Sequence, residues 1–422
     1  MHPALTPPTT LRWSTSLPLR GKEVKKYKLT MKTPTAHLTY CTNIHAGETW
    51  AEHFIALQKN FPQIKKALSP GEPMGIGLRL SNIASIDLLD ENRLQEFQQW
   101  LKEKNAYVFT MNGFPYGGFH HTAVKDQVHT PDWTTDDRLN YTLRLFNILA
   151  KLLPEGMDGG ISTSPLSYKP WFANATERKA ATSIATKNII KVAEELYKIK
   201  QSTGVTMHLD IEPEPDGFLE SGREFMDWFE GDLLNAETNL SEEQLKQHIN
   251  LCYDVCHFAI GYEPHAEIIK ELAEKEIKVG KIQISAALKA PMPVVGKRGE
   301  LINAISKYNE PTYLHQVIAR CNDGSLIRYP DLHDALADSA NPAAEEWRAH
   351  FHVPIFIEDM GLVRSTQSDI VQVLDIQRNN PFTNHLEVET YTWEVLPDEL
   401  KAPLDESIIR ELKWVVEQMK NS

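Results

Sequence analysis

The chain has 422 residues, 41% of them hydrophobic, and a formal net charge of −13. That length suits a (β/α)8 barrel with insertions, and the apolar content is enough for a full core. The acidic balance excludes an ordinary nucleic-acid partner, whose binding rests on Lys and Arg neutralising phosphates, and no apolar run reaches the length of a membrane span. Four cysteines (Cys41, Cys252, Cys256, Cys321) are too few for a disulfide scaffold. They point to a reducing, cytoplasmic setting.

Residues 1–34 carry seven Lys or Arg against one acid, with the run Pro7-Pro8-Thr9-Thr10 and no periodic apolar face. A transit peptide has such a composition, but the reading preferred is a flexible basic extension that folding does not need. Residues 35–422 then form one barrel domain.

Short apolar strands alternate with amphipathic helical stretches from there on, the pattern of parallel βα units. Strands are predicted near His37–Thr42, Met74–Leu80, Tyr107–Asn112, Gly160–Ser164, Val205–Ile211, Ile249–Val255, Lys281–Ser285 and His385–Glu389. Between the fourth and fifth, Ile189, Val192, Ala193, Leu196 and Ile199 make one apolar stripe, which predicts a helix over Ala180–Gln201. Eight strands with intervening helices are the count of a closed TIM barrel. An open doubly wound sheet is the alternative, though no Gly-x-Gly-x-x-Gly follows the first strand. The longest irregular stretches, about 112–135 and 287–350, follow the third and seventh strands and are read as lids or substrate loops.

In such a barrel the active site lies at the carboxyl ends of the strands. The fifth strand ends in Asp210-Ile211-Glu212, followed by Pro213-Glu214-Pro215-Asp216-Gly217; the sixth supplies Asp254 and His257 in Leu-Cys-Tyr-Asp-Val-Cys-His; the seventh holds Gln283; the eighth ends in Glu387-Val388-Glu389. Asp-x-x-His at a strand end offers an oxygen and an imidazole donor to one point, while the plainer reading is a capping Asp beside a core histidine. Glu389, nearer the strand end than Glu387, is the preferred ligand of that pair. Carboxylates converging in a buried site repel one another, and a divalent cation is the simplest counter-charge. His350-Phe351-His352 adds a His-x-His, which in an extended segment points both rings the same way. Its alternative is two polar residues on a solvated face.

The expected metal ligands are therefore Glu212, Asp254, His257, Gln283, His350, His352 and Glu389, for Mn, Zn, Fe or Mg. Glu212 and Glu389 are the expected catalytic groups. Asn112, Tyr116 and Lys125, in the loop after the third strand, are candidates for substrate hydroxyls or a phosphate, against readings as a turn residue, a packed aromatic and a solvated lysine. His45 follows the first strand and is a further substrate candidate. His37, His53, His208 and His248 are read as structural. Trp133, Trp171 and Trp393 either wall an apolar pocket or pack loops on the rim.

The segment Leu251–Glu263 resembles the Asp-Thr-Cys-His segment of endonuclease IV, a member of the xylose-isomerase-like TIM-barrel superfamily. That resemblance implies that Glu212 matches a metal-bridging glutamate, Asp254 and His257 the sixth-strand ligands, and Glu389 the terminal glutamate. His350 and His352 match an Asp-x-His pair with His in place of Asp, and Gln283 stands where that family has a histidine. Four longer phrases, His37–His45, Thr110–Gly117, Ile161–Tyr168 and Glu387–Trp393, resemble the EboE group of xylose-isomerase-like barrels. These are called metabolite traffic proteins and are encoded beside a prenyltransferase and a dehydroquinate-synthase-like cyclase. The group's name reports an association with moving a metabolite rather than a reaction. The carboxylate-rich site, the acidic balance and the superfamily resemblance point to a metal-dependent isomerase or epimerase acting on a sugar-, polyol- or cyclitol-like metabolite, with other proteins of the same pathway as expected partners. A non-catalytic metabolite carrier and a metal-dependent phosphodiesterase of endonuclease IV type are the alternatives. Without its basic extension the chain has 37 basic and 56 acidic residues, which favours a compact metabolite over a polyanionic duplex.

Overall fold

The computed structural model describes residues 31, 36–118, 124–292 and 296–420. In chain order the strands are β1 His37–Tyr40, β2 Met74–Arg79, β3 Ala106–Asn112, β4 Gly159–Thr163, β5 Met207–Ile211, β6 Ile249–Asp254, β7 Val279–Ile284, β8 Ala286–Pro291, β9 Val317–Cys321, β10 Leu326–Tyr329, β11 Ala344–Val353, β12 Asp359–Met360, β13 Val363–Ser365 and β14 His385–Val388. Eight of them pair in parallel in the order β1-β14-β7-β6-β5-β4-β3-β2. A parallel bridge between Cys41 and Gly77 joins the two ends of that order. The Thr39 hydroxyl strengthens the seam, donating to Gly75 O (3.0 Å) and accepting from Gly77 N (2.9 Å). The fold is a (β/α)8 TIM barrel, and each predicted barrel strand is present.

The helices form the outer ring for local reasons. Helix Trp50–Leu68 starts at a Thr49/Glu52 capping box and buries Trp50, Leu57, Phe61 and Ile64 against the barrel. Helix Ala175–Thr203 runs beyond the predicted Ala180–Gln201 at both ends. The Asn174 side chain accepts from two first-turn N–H groups, and Gly204 ends the helix at φ +77. Its stripe is buried as expected, with Ile199 half-buried. Each such fully buried Leu, Ile or Phe contributes about 1.5–3 kcal/mol. Among the described residues, no helix is long and apolar enough to cross a membrane. Of the N-terminal extension only Met31 is described; it is buried, and its carbonyl accepts from Leu38 N at 2.9 Å.

Most described residues of the stretch read as an irregular loop over 287–350 fall in strands and helices. The stretch belongs to a second, antiparallel sheet of order β10-β9-β11-β8-β13-β12, which begins one residue after β7. Two short strands, Val-Ile-Ala-Arg-Cys and Leu-Ile-Arg-Tyr, make a hairpin over Asn322-Asp323-Gly324-Ser325, with Gly324 at φ +84. The Asp-Gly pair between apolar runs is a turn signal that the sequence reading passed over. This sheet carries His350 and His352 on β11, which pairs with β8 through a bulge between Ala349 and His352.

A TIM barrel is usually filled by layers of branched aliphatic side chains. Here alternation along three strands sends polar groups inward instead: His208 and Asp210 on β5, Lys281 and Gln283 on β7, His385 and Glu387 on β14, all buried. Lys281 and Glu387 form an ion pair at the middle of this column.

Candidate metal centre

The carboxyl ends of β5, β6 and β14, with β11 crossing above them, bring together Glu212, Glu214, Asp254, His257, His350, His352 and Glu389, every one of them buried. Four overlapping groups have ligand atoms within 4.8 Å of one another: Glu212/Asp254/Glu389, Asp254/His257/His352, Glu214/His257/His350 and Cys256/His350/His352. The expected ligands thus converge, with Glu214 and Cys256 added and Gln283 the exception.

The histidines are held in a single sense. His257 Nδ1 lies 2.9 Å from Pro213 O, and His352 Nδ1 lies 2.8 Å from Glu389 O. His350 Nδ1 lies 2.9 Å from Gln316 Oε1, whose amide is oriented because its Nε2 donates to Pro215 O at 3.0 Å. A carbonyl oxygen only accepts, so each ring carries its proton on Nδ1 and turns an Nε2 lone pair towards the site. His257 Nε2 and His350 Nε2 then stand 3.2 Å apart, lone pair to lone pair. His352 Nε2 is buried with no hydrogen-bond partner. Ligands about 2.0–2.1 Å from a tetrahedral zinc stand roughly 3.3 Å from one another, so this spacing is what a shared cation needs.

The carboxylates are oriented in the same way. Asp254 does cap the short helix Val255–Ile260, accepting from His257 N (3.3 Å), and Oδ1 also accepts from Ser285 Oγ (2.6 Å). The capping reading of Asp254 is seen directly, and its Oδ2, buried and unpartnered, leaves an oxygen available to a cation. Glu212 Oε2 and Glu214 Oε2 are likewise buried without partners. Glu389 is clamped by amides: Asn43 Nδ2 (2.6 Å) and Asn112 Nδ2 (2.8 Å) donate to Oε1, and Gln283 Nε2 donates to Oε2. These orphaned donor atoms fit a divalent cation, and their mixed nitrogen and oxygen character suits Zn, Mn or Fe.

Electrostatics agrees with the geometry. Burial, then the charges of Glu389, Asp254 and Glu214, push the Glu212 carboxyl far above the ordinary range. Burial and Asp254 do the same to Glu214. Burial, Asp254 and Glu387 raise Glu389 to about 8, against the opposing pull of Lys281 and the Gln283 amide. Burial holds His257 and His350 below the usual histidine value, and takes His352 down to about 4. The cluster thus favours neutral imidazoles, the form that coordinates metal.

The remaining candidates sort as follows. Gln283 is not turned into the cluster as a donor of lone pairs; its oxygen accepts from Cys252 Sγ and its nitrogen serves Glu389. Asn112 spends its other end on Phe114 N (3.0 Å), so it positions Glu389. Lys125 lines the cavity and is paired with Asp331 at 2.7 Å. Tyr116 packs on the Tyr141 ring away from the cavity lining, and His45 Nε2 meets the Tyr40 hydroxyl at 3.1 Å. Trp133 and Trp171 bond to Thr163 and Asp126, and Trp393 is buried in the core; none of the three lines the cavity. Among the lining residues that the sequence did not single out are Asn43, His129 and Tyr391. Glu214, in the Pro213–Gly217 segment after the fifth strand, joins the cluster without being among the expected ligands.

The cavity over the cluster has about 60 Å³ of free space, room for several waters. Phe114, Pro115, Val124, Tyr313 and Leu314 give it an apolar wall.

No protein-family model and no curated protein matches the chain. Among solved structures it is similar to a xylose isomerase-like TIM barrel protein from Mycobacterium smegmatis in complex with magnesium (10% identity, 89% of this chain and 90% of that one, TM-score 0.45). It is also similar to an IolI protein with a bound zinc atom (12% identity, 90% and 97%, TM-score 0.44). A third likeness is to a xylose isomerase domain protein from Planctomyces limnophilus (11% identity, 84% and 92%, TM-score 0.45).

Proposed function

We propose that this barrel is a divalent-metal-dependent isomerase or epimerase acting on a compact sugar-, polyol- or cyclitol-like metabolite. The observation that carries the proposal is the convergence of three Nε2 lone pairs, each fixed by its own Nδ1 contact, on a set of buried carboxylates. Glu212, Asp254, His257, His350, His352 and Glu389 would hold the ion, with Glu214 beside it. When bound, it supplies Lewis-acid polarisation of adjacent substrate oxygens.

The chain's own residues do the rest. Glu212 moves the substrate proton with the carboxylate oxygen that does not face the ion. Glu389, clamped by three amides, keeps a fixed position and is the poorer base. Phe114, Val124 and Tyr313 exclude water, which protects an ionised intermediate from side reactions. Lys125 meets a substrate hydroxyl or phosphate at the mouth only by leaving Asp331. The likeness of four phrases to the EboE group supports reading the substrate as an intermediate of a biosynthetic cluster.

The test is solvent-deuterium incorporation into candidate polyol ketones by zinc- or manganese-loaded protein. Wash-in that Glu212→Gln abolishes is the expected result. Tight binding without exchange overturns the isomerase reading in favour of a carrier, and cleavage of abasic-site DNA overturns it in favour of a phosphodiesterase.

A further inference from the structure

The barrel floor carries a second cluster. Asp158 precedes β4, His208 is the second residue of β5, and His385 opens β14, so all three lie at the amino ends of their strands. A ligand atom from each lies within 4.8 Å of the others. Glu212, just past the end of β5, is four positions on from His208, roughly 13 Å along the strand, with the Asp210 and Lys281–Glu387 layer between.

The geometry points to a second divalent transition-metal site here, held by Asp158, His208 and His385. First, His208 Nδ1 meets Asp210 Oδ1 at 2.6 Å, which leaves Nε2 facing Asp158 Oδ2 at 3.8 Å. A carboxylate behind an imidazole is the usual support for a metal-binding histidine. Second, His385 is fully buried, yet neither of its ring nitrogens has a hydrogen-bond partner, and its Nε2 lies 3.6 Å from Asp158 Oδ1. Both carboxylate distances exceed a good hydrogen bond and leave room for an ion between. Third, the floor is cut to admit these groups: a Cβ on Gly160 would lie 2.4 Å from His208 Cε1, and one on Gly280 would lie 1.8 Å from Asp210 Oδ1. The Asp158 side chain is 39% exposed, so the site opens to solvent and a water can complete its coordination.

Two histidines and one carboxylate suit Zn, Fe or Co over Mg or Ca. The ion would tie β4 and β5 to β14, which faces β5 across the barrel with β7 and β6 between them in the sheet. The competing arrangement is a closed ion network in which His208 keeps both protons between Asp210 and Asp158 and binds nothing. Burial opposes that cation while Asp210 and Asp158 favour it, taking the ring to about 9.

The test titrates chelator-treated full-length protein with zinc at pH 8 by calorimetry, beside Asp158→Asn and His385→Gln. Each variant is expected to bind one equivalent per chain fewer than the parent. Zinc-edge anomalous diffraction of the parent is expected to show a peak between Asp158 and His385. Unchanged stoichiometry in both variants, or no peak at that position, overturns the proposal. Asp158 is half-exposed, so Asp158→Asn keeps the test usable if His385→Gln misfolds. Loss of the other equivalents in His350→Ala/His352→Ala reports on the upper centre separately.

Discussion

Lys281 is fully buried, and its ammonium contacts Glu387 in an ion pair, with Thr110 Oγ1 and Met111 O each 3.4 Å away. Burial alone would lower the lysine; the charge of Glu387 overrides it and keeps the ammonium ionised. Lys281→Met strands the Glu387 carboxylate in the barrel interior. Removing one member of a buried pair costs about 3–5 kcal/mol, whereas replacing both with apolar groups of similar volume is close to neutral. Urea unfolding of Lys281→Met, Glu387→Met and the double variant should therefore give two strongly destabilised singles and a double near the parent. The implied coupling is several kcal/mol. Lys281 also lowers the Glu212 and Glu389 carboxyls. Lys281→Met should accordingly weaken zinc binding more at pH 6 than at pH 9, because the ligands must lose protons to coordinate. Additive singles, or metal affinity with an unchanged pH profile, would refute this account of the polar column.

Glu411 is buried under Thr390, and burial raises it to about 8 despite hydrogen bonds from Thr390 Oγ1 and Ile355 N. A folded value above the unfolded one means stability is lost as pH climbs from about 4.5 through 8. Glu411→Gln should match the parent near pH 4 and exceed it by up to roughly 4 kcal/mol at pH 8; parallel pH curves would contradict that. Starting the chain at Met31 should leave the urea midpoint unchanged. Starting it at Ala36 should cost about 1.5–3 kcal/mol for the lost Met31 burial, and equal midpoints would show that Met31 adds nothing. Ser285→Ala removes a hydroxyl that donates to Asp254 and accepts from Cys256 N. Zinc affinity should fall about 10–100-fold with folding intact, and an unchanged dissociation constant would remove Ser285 from the site's support.

Periodicity made the barrel legible, because parallel strands buried on both faces read as short apolar runs between helical stripes. The same signal made Asp254, His257 and Glu389 legible, since charged residues at the ends of such runs have no packing reason to be there. Glu214 escaped because it sits between two prolines in a segment with no periodicity, and Asn43 because a single amide after a strand looks like any turn residue. His208 is read from sequence as structural, and the floor site proposed for it draws on Asp158, just before β4, and His385 on β14, both distant in sequence. The second sheet was missed because its hairpin strands are only five and four residues long. Strands that short carry little alternation, and the Asp-Gly turn was their one clear mark.

Anomalous diffraction from crystals grown without chelator tests the central claim most directly. The account predicts a metal peak bounded by Glu212, Asp254 and Glu389 on one side and the Nε2 atoms of His257, His350 and His352 on the other, at about 2.0–2.2 Å from its ligands. A fully ordered site with no peak after a zinc or manganese soak, and with protons bridging the His257 and His350 rings, would contradict it.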